Sequence, residues 1–334
     1  MKGKNIVIAV LLAAVVAMGV SLVFSPPNPG SGETAATTRA AQRVRIGVSI
    51  PAADHGWTAG VAWWAQRAMA LHPEIEWQFA TANTPEKQIA DIQDMMAKGV
   101  DGLVILATES APLTPIAVEA HERGIYIVNV DRGFLQPVAD VFLEGDNKSF
   151  GRKAAQFIAQ KLNGKGSIVI LEGVPCTVNT DRVNAAIEVF RNYPGIKILA
   201  RQSAMWTREK GLTVMQNFLT QFPHIDAVWA GDDDTALGAI QAITEAGRDK
   251  EMFVVGGGGM KQIIKMIADK NRLVPATITY PPSMIAEGIH LAASTLRDGH
   301  GKEVSQFVPR HMMIDVELVT PDNAGRYYFP DSAY

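Results

Sequence analysis

Two tryptophans lie where an α/β fold would direct them into a ligand-binding cleft. Trp57 closely follows an apolar run, Val44 to Ile50, that predicts a first strand, and Trp206 lies between a later strand and a later helix. Ligands of open α/β sheets bind at the carboxyl ends of strands. Aromatic faces pack on C–H surfaces, and nearby charged groups satisfy hydroxyls, so the pattern predicts a site for a small polyhydroxylated molecule. Burial of both rings in the core is the alternative.

The elements that must position these residues follow a repeating order. Short apolar strands alternate with helical stretches, and the rhythm restarts after Gly145. Strands are predicted at 44–50, 75–80, 103–106, 125–128, 167–171, 196–200, 227–230, 252–255 and 276–279. Thr84 is predicted to cap a helix that stops at Gly99. Two βαβ runs predict an α/β fold of two Rossmann-like lobes with parallel sheets.

The last part of the chain is predicted to connect the two lobes again. A helix is predicted over 281–297 and an extended strand over 307–319. These elements would return to the first lobe and then to the second. Several parallel crossings form a hinge, about which the lobes would open and close as rigid bodies.

The first residues predict export. A short basic stretch precedes an uncharged, apolar run from Ile6 to Phe24, so residues 1–24 are interpreted as a signal peptide and the protein is placed in the periplasm. Residues 25–42 are rich in Pro, Gly, Ser, Thr and Ala and predict a flexible linker. The apolar run also approaches the length that spans a bilayer, so an uncleaved membrane anchor is the alternative.

Composition and motifs argue against several classes of function. The formal net charge is −3 with dispersed signs, which predicts no nucleic-acid face. The glycine run 256–259 lacks the spacing of a dinucleotide loop, and the single cysteine, Cys176, has no matched histidine. Three adjacent carboxylates, Asp232 to Asp234, lack the spacing of a Ca²⁺ loop. We therefore predict neither an enzyme, nor a cofactor, nor a metal.

Five segments in order carry a resemblance to a known family. They are 44–50, 128–132, 210–217, 230–239 and 275–279. From about Val44 to Asn323, the chain resembles the type I periplasmic sugar-binding proteins, the ribose-binding-protein-like group that shares its lobes with LacI-type repressors. A LacI-type regulator would carry a DNA-binding helix-turn-helix where the predicted signal peptide stands.

The resemblance implies a Venus-flytrap receptor with hinge crossings near Gly145, Tyr280 and Ile314. The first lobe would comprise residues 43–145 plus 281–314, and the second lobe 146–280 plus 315–334. The resemblance also implies a monomer that delivers its ligand to an ABC transporter permease in the inner membrane. The alternative is a receptor for a sugar or signal molecule that docks to a membrane sensor.

In the first lobe, the resemblance implies a ligand loop after the first strand. Asp54 or His55 would bond hydroxyls there, and Trp57 would pack on one face of a sugar. Asp131 and Arg132 match the family's Asp-Arg pair, in which the carboxylate accepts from hydroxyls and the guanidinium donates to them.

In the second lobe, the family's ligand arginine aligns with Thr180, and Arg182 lies two residues on. Contacts from Asn179, Thr180 or Asp181 are all predicted alternatives, and Asn179 or Thr180 could instead cap the helix. Trp206 would pack on the opposite sugar face. The resemblance places hydroxyl contacts at Asp232, with Asp233 or Asp234 as helix cap.

Two departures from ribose-type members concern the ligand itself. Gly258 stands where those members carry a ligand aspartate, and Tyr280 stands where they use glutamine; its phenol would donate to a hydroxyl. These changes argue against ribose in particular. The many carboxylates favour a neutral ligand over an acid, because unpaired like charges in a closed cleft are costly. The predicted ligand is a small neutral sugar or sugar alcohol.

Overall fold

The computed structural model describes residues 43–297 and 304–334. Contacts divide the chain into Met1–Gln42 and Arg43–Tyr334, and the described strands and helices all belong to the second unit. The predicted signal peptide and linker lie outside the described residues. Of the helices described, none has both the length and the apolar character needed to cross a bilayer.

Strands and helices alternate along most of the described chain. The strands are β1 (Arg45–Pro51), β2 (Glu76–Ala82), β3 (Gly102–Ile105), β4 (Tyr126–Val130), β5 (Val141–Gly145), β6 (Lys165–Glu172), β7 (Gly195–Ser203), β8 (Ala227–Ala230), β9 (Phe253–Val255), β10 (Thr277–Ile278), β11 (His311–Ile314) and β12 (Leu318–Val319). The helices are α1 (Gly56–Ala70), α2 (Pro85–Ala97), α3 (Ser110–Glu122), α4 (Asn147–Lys161), α5 (Thr177–Arg191), α6 (Arg208–Gln221), α7 (Asp233–Glu245), α8 (Lys261–Ala268) and α9 (Met284–Leu296).

Two parallel sheets organise these elements. The first has the strand order β11-β5-β4-β3-β1-β2, and the second has the order β7-β6-β8-β9. A short antiparallel pair joins β10 and β12. The prediction of an α/β fold with two Rossmann-like lobes is confirmed.

The cores of the sheets explain their apolar sequences. Ile46, Val48 and Ile50 of β1 are fully buried, as expected of a strand covered on its faces by helices. Burial of each such side chain contributes about 1.5–3 kcal/mol. Gly288 lets α9 pack closely on the first sheet, because a Cβ there would lie 2.7 Å from Cγ2 of Val130.

Local signals set the ends of α2 as predicted. The hydroxyl of Thr84 accepts a hydrogen bond from the backbone N–H of Lys87, and Pro85 occupies the first turn. Gly99 follows the helix with φ of +75°, a left-handed conformation that glycine adopts without strain.

The single strand predicted over 307–319 is wrong. The segment forms two short strands, because β11 pairs in parallel with β5 of the first sheet while β12 pairs antiparallel with β10. The chain must break and change direction between these partners. The helix predicted over 281–297 forms as α9, which begins three residues later, at Met284.

Candidate functional site: a cavity between the two sheets

A cavity lies where loops from the carboxyl ends of both sheets meet. Its position agrees with the rule that α/β folds bind ligands beyond the ends of parallel strands. The predicted residues that line it are His55, Trp57, Asp131, Trp206, Asp232, Gly258 and Tyr280. Val178, Arg182 and Gly257 also line it, although they were not in the predicted set.

The first wall of the cavity is formed by His55 and Trp57, at the start of α1, and by Asp131. Trp57 is buried, and its Nε1 donates to the backbone oxygen of Tyr280 at 2.9 Å. His55 caps the helix, and its Nδ1 lies 2.6 Å from Oδ1 of Asp54. Burial alone would lower the pKa of His55, but the carboxylates of Asp54 and Asp232 outweigh it and raise that pKa. Asp54 thus orients the imidazole and does not itself line the cavity.

Asp131 is held in place by groups of the protein. It follows β4 in a left-handed conformation, with φ of +67°. Its Oδ1 accepts a hydrogen bond from the hydroxyl of Tyr280 at 2.6 Å, and its Oδ2 lies 3.7 Å from Nε of Arg132. Burial raises the pKa of Asp131, while Arg132 and Tyr280 oppose the rise. Oδ1 is therefore already hydrogen-bonded within the protein, whereas Oδ2 has only the ion pair with Arg132.

Arg132 lies beside the cavity, in a neighbouring depression that Asp54 also lines. Its Nη1 donates to the backbone oxygens of Ala107 and Thr108, at 3.1 and 2.7 Å. Its Nε is buried without a hydrogen-bond partner among the described residues. Arg132 thus serves chiefly to fix the loop after β3 and to balance the charge of Asp131.

The second wall of the cavity is formed by Val178 and Arg182 of α5 together with Trp206 and Asp232. Val178 and Arg182 are four residues apart and therefore share one face of the helix. Arg182 donates from Nε to Asn147 and from Nη1 to the backbone oxygen of Gly231, both at 3.0 Å. Its guanidinium lies 3.8 Å from the ring centre of Phe150. Its Nη2 makes no hydrogen bond to the described residues and is free to donate to a ligand.

The structure does not bring the residues of α5 that were predicted as contacts to the cavity. Asn179 bonds Glu172 at 3.2 Å and accepts from the N–H of Gly173 at 2.8 Å. Thr180 is exposed and donates to the backbone oxygen of Cys176, and Asp181 is only partly buried. Neither Asn179 nor Thr180 caps the helix, since Cys176 is the N-cap residue.

Trp206 forms the aromatic part of the second wall. It is buried in a left-handed conformation, with φ of +59°, and packs on Cys176 and Val178. A Cβ at Gly173 would lie 1.9 Å from the indole, so the ring requires glycine there. Its Nε1 is buried without a partner among the described residues. An unpaired buried donor costs about 1–3 kcal/mol, and a ligand oxygen would remove that cost.

Asp232 lines the cavity and also caps a helix. It is the N-cap of α7, and its Oδ1 accepts from the N–H groups of Asp234 and Thr235 at 2.7 and 3.4 Å. The prediction that Asp233 or Asp234 would be the cap is therefore wrong. Oδ2 accepts no hydrogen bond from the described residues. Burial is the main cause that raises the pKa of Asp232 to about 6; Asp234 adds to the rise and His55 opposes it.

Asp233 has a structural role and is fully buried. Its carboxylate accepts hydrogen bonds from the backbone N–H groups of Gly257, Gly259 and Met260. It also accepts one from the hydroxyl of Thr277. Burial and the neighbouring Asp232 raise its pKa to about 7. Asp233 therefore holds Gly257 and Gly258 against the cavity without reaching it.

The third carboxylate links the two sheets. Oδ2 of Asp234 accepts from the N–H of Gly56 at 2.7 Å, and Oδ1 lies 3.5 Å from Arg208. The three adjacent aspartates thus serve three different sets of partners. Within the described ranges, no group of three or more potential ligand residues is arranged to hold a metal ion.

Comparisons with known proteins agree with this geometry. Residues 46–301 match the family described as periplasmic binding protein domain. The chain is 33% identical to the ribose import binding protein of Bacillus subtilis over 235 residues, which are 70% of this chain and 75% of that protein. It is 32% identical to the xylitol-binding protein of Mycolicibacterium smegmatis over 239 residues, which are 71% of this chain and 66% of that protein.

The fold is also similar to that of a solved structure. It is the periplasmic binding protein component of the arabinose ABC transporter from Shewanella sp. ANA-3, bound to α- and β-L-arabinofuranose. The TM-score is 0.75 at 28% sequence identity, and the match covers 85% of this chain and 94% of that one.

Proposed function

The chain belongs to the periplasmic binding protein family, and from that premise we propose that its cavity captures a small neutral sugar or sugar alcohol. The relatives from Bacillus and Mycolicibacterium are binding proteins, and this chain is likewise a solute-binding protein and not an enzyme. Those two relatives have ribose and xylitol in their names, and the solved structure contains a furanose. The proposal extends this class of ligand to the present cavity.

The observation that carries the proposal is the set of unsatisfied polar atoms on the second wall. Nε1 of Trp206 and Nη2 of Arg182 are donors without partners among the described residues, and Oδ2 of Asp232 is an acceptor without one. A molecule with several adjacent hydroxyls offers both donors and acceptors at short spacing. Trp57 and Trp206 would then cover its apolar C–H faces.

The balance of charges supports a neutral ligand. Asp131 and Asp232 contribute two buried carboxylates, and Arg132 and Arg182 contribute two buried guanidinium groups. A neutral ligand leaves this balance intact. An acidic ligand would add a buried charge without a counter-ion, which is costly in a desolvated cleft.

We assign the lobes as residues 43–145 plus 281–314 and residues 146–280 plus 315–334, with hinge crossings near Gly145, Tyr280 and Ile314. Three hydrogen bonds support a closed arrangement, because each joins loops of different sheets. Besides the bond from Gly56 to Asp234, Gly133 N–H donates to the hydroxyl of Thr177 at 2.9 Å, and Thr177 N–H donates to that of Ser110 at 3.1 Å. A ligand that bridges the walls stabilises closure through its greater affinity for the closed state.

The partner proposed for the closed form is an ABC transporter permease of the inner membrane. Membership of a periplasmic binding protein family supports a periplasmic location, and the name of the arabinose-binding structure supports the type of transporter. We propose that the exported chain acts as a monomer. Whether residues 6–24 are removed or retained as an anchor concerns a segment outside the described residues.

A thermal-shift screen of the purified protein tests the proposal. Neutral sugars, polyols, sugar acids and nucleosides are compared at high concentration. A ligand at a hundred times its Kd stabilises the fold by about 2.7 kcal/mol, which raises Tm by roughly 4 °C for a chain of this size. We expect such a shift with one or a few neutral sugars or polyols. A shift with sugar acids alone, or a cooperative melt that no compound shifts, would overturn the proposal.

A further inference from the structure

Tyr334 is a buried residue at the edge of the cavity. It lies in the tail, residues 327–334, which follows β12 and a short 3-10 turn at Ala324–Arg326. Only 8% of Tyr334 is exposed, and its hydroxyl has no hydrogen-bond partner among the described residues. A buried hydroxyl without a partner calls for an explanation.

The ring of Tyr334 lies between the two walls of the cavity. A Cβ placed on Gly258 would lie 2.1 Å from its hydroxyl oxygen, and one placed on Gly56 would lie 3.3 Å from its Cδ2. Gly258 lines the cavity in the second lobe, and Gly56 begins α1 in the first. The phenol therefore occupies the space that a side chain at position 258 would otherwise fill.

The tail is attached to the second lobe. Nζ of Lys261, at the start of α8, donates to the backbone oxygens of Pro330 and Ser332 at 3.0 and 2.7 Å. The N–H of Tyr334 donates to the hydroxyl of Ser332 at 3.2 Å. These bonds fix the tail to α8, so Tyr334 would travel with the second lobe when the cleft opens.

Tyr334 also separates two spaces. A larger groove lies on the hinge side and is lined in part by Tyr280, Asp315, Phe329 and Tyr334. Gly258 and Tyr280 line both this hinge-side groove and the cavity. Removal of the Tyr334 ring would therefore join the two spaces beside Gly258.

The phenol is a donor at neutral pH. Burial is the main cause that raises the pKa of Tyr334 well above its usual value, and the carboxylates of Asp232, Asp233 and Asp234 add to it. Of these carboxylates, Asp232 lines the cavity, so the hydroxyl of Tyr334 is close to the site that a polyol would occupy.

We propose that Tyr334 selects the ligand of the cavity. Its hydroxyl donates a hydrogen bond to a ligand oxygen beside Gly258, and its ring limits the length of the ligand by closing the way to the hinge-side groove. This inference rests on the proposed function, since it assigns a further contact in the same site.

Two substitutions and a matched control test it. Tyr334→Phe removes only the hydroxyl, and Tyr334→Ala also removes the ring that separates the cavity from the hinge-side groove. Tyr328→Phe, the control, removes a hydroxyl elsewhere in the same tail. Binding of D-ribose, L-arabinose, D-allose, xylitol and myo-inositol is measured by calorimetry, and Tm is measured without ligand. Tyr334→Phe is expected to weaken the tightest of these by about 5- to 10-fold at unchanged Tm, and Tyr328→Phe to change its Kd by less than about 2-fold.

Disaccharides test whether the ring of Tyr334 limits the length of the ligand. Tyr334→Ala is expected to bind maltose or sucrose more tightly than the wild type does, because the cavity and the groove become continuous. Wild-type affinity in Tyr334→Phe, together with rejection of both disaccharides by a folded Tyr334→Ala protein, would overturn the inference and leave the proposed function standing. Failure of the folded wild type to bind any neutral sugar or polyol of the thermal-shift screen would overturn both.

Discussion

The two walls of the cavity differ in how far their polar groups are already satisfied. On the first wall, Asp131 accepts from Tyr280, and Nε1 of Trp57 donates to a backbone oxygen. On the second wall, Arg182, Trp206 and Asp232 each keep a polar atom without a partner among the described residues. The first wall has most of its polar atoms paired within the protein, while Oδ2 of Asp131 and Nε2 of His55 make no hydrogen bond to the described residues. The second wall has hydrogen-bonding capacity to offer, and we expect it to determine which ligand binds.

The largest effect is expected at Arg182 on the second wall. Lysine cannot reproduce the planar fork that bonds Asn147 and Gly231 while leaving Nη2 for a ligand. Arg182→Lys should weaken ligand binding by about 100-fold, which corresponds to roughly 3 kcal/mol. Calorimetry of the folded variant measures this. Arg201→Lys is the control, because Arg201 pairs with Glu172 and does not line the cavity. Equal and small losses in both variants would contradict the assignment.

The carboxylate of the second wall predicts a pH dependence of stability. The pKa of Asp232 is about 6 in the folded chain, against an ordinary 3.8. Between those values the folded state binds more protons than the unfolded state, so this group's contribution to stability falls as pH rises through about 6. Its loss is complete above that pKa and amounts to roughly 3 kcal/mol, at about 1.4 kcal/mol per pKa unit.

Asp232→Asn removes this titration. The free energy of unfolding of the ligand-free variant, relative to wild type, should therefore increase between pH 4 and pH 7.5. Urea unfolding at several pH values measures the difference. A constant difference across that range would show that Asp232 does not titrate there.

A smaller effect on affinity is expected at Trp206. Trp206→Phe keeps an aromatic ring but removes the unpaired Nε1 donor, so the affinity should fall by about 5-fold, or roughly 1 kcal/mol. Trp229 offers a matched control, because it is fully buried, its Nε1 also lacks a partner among the described residues, and it lies outside the cavity lining. Titrations should show wild-type affinity for Trp229→Phe. A similar loss in both variants would point to a general effect of repacking.

The smallest change in affinity is expected at Trp57, the equivalent indole of the first wall. Its Nε1 bonds the protein and not the ligand, so Trp57→Phe should lower the free energy of unfolding by about 1 kcal/mol. The same variant should change Kd by less than about 3-fold. Thermal melts and calorimetry on one preparation separate the two effects. A larger loss of affinity than in Trp206→Phe would reverse the comparison between the walls.

Residues that directly follow strands were predictable from the sequence. His55, Asp131, Trp206 and Asp232 each lie just beyond an apolar run, and the topology of a parallel sheet brings such positions to one edge. The break between β11 and β12 was not predictable in this way. Both halves of the segment are extended, and only their pairing with remote strands of different sheets separates them.

Residues placed by helix register or by distant contacts were harder to predict. Arg182 is a cavity residue because α5 begins after Cys176, which turns Val178 and Arg182 inward and Thr180 outward. The four-residue spacing was the available signal, once the start of the helix was known. Tyr334 gave no local signal, because its neighbours Gly56 and Gly258 lie far away in the sequence.

The most direct test of whether the second wall determines which ligand binds is a crystal structure with the compound that gives the largest thermal shift. We predict that ligand oxygens lie within about 3 Å of Trp206 Nε1, Arg182 Nη2 and Asp232 Oδ2, with the ligand held between Trp57 and Trp206. A ligand bound in the hinge-side groove, or one that leaves all three atoms unpaired, would contradict this prediction.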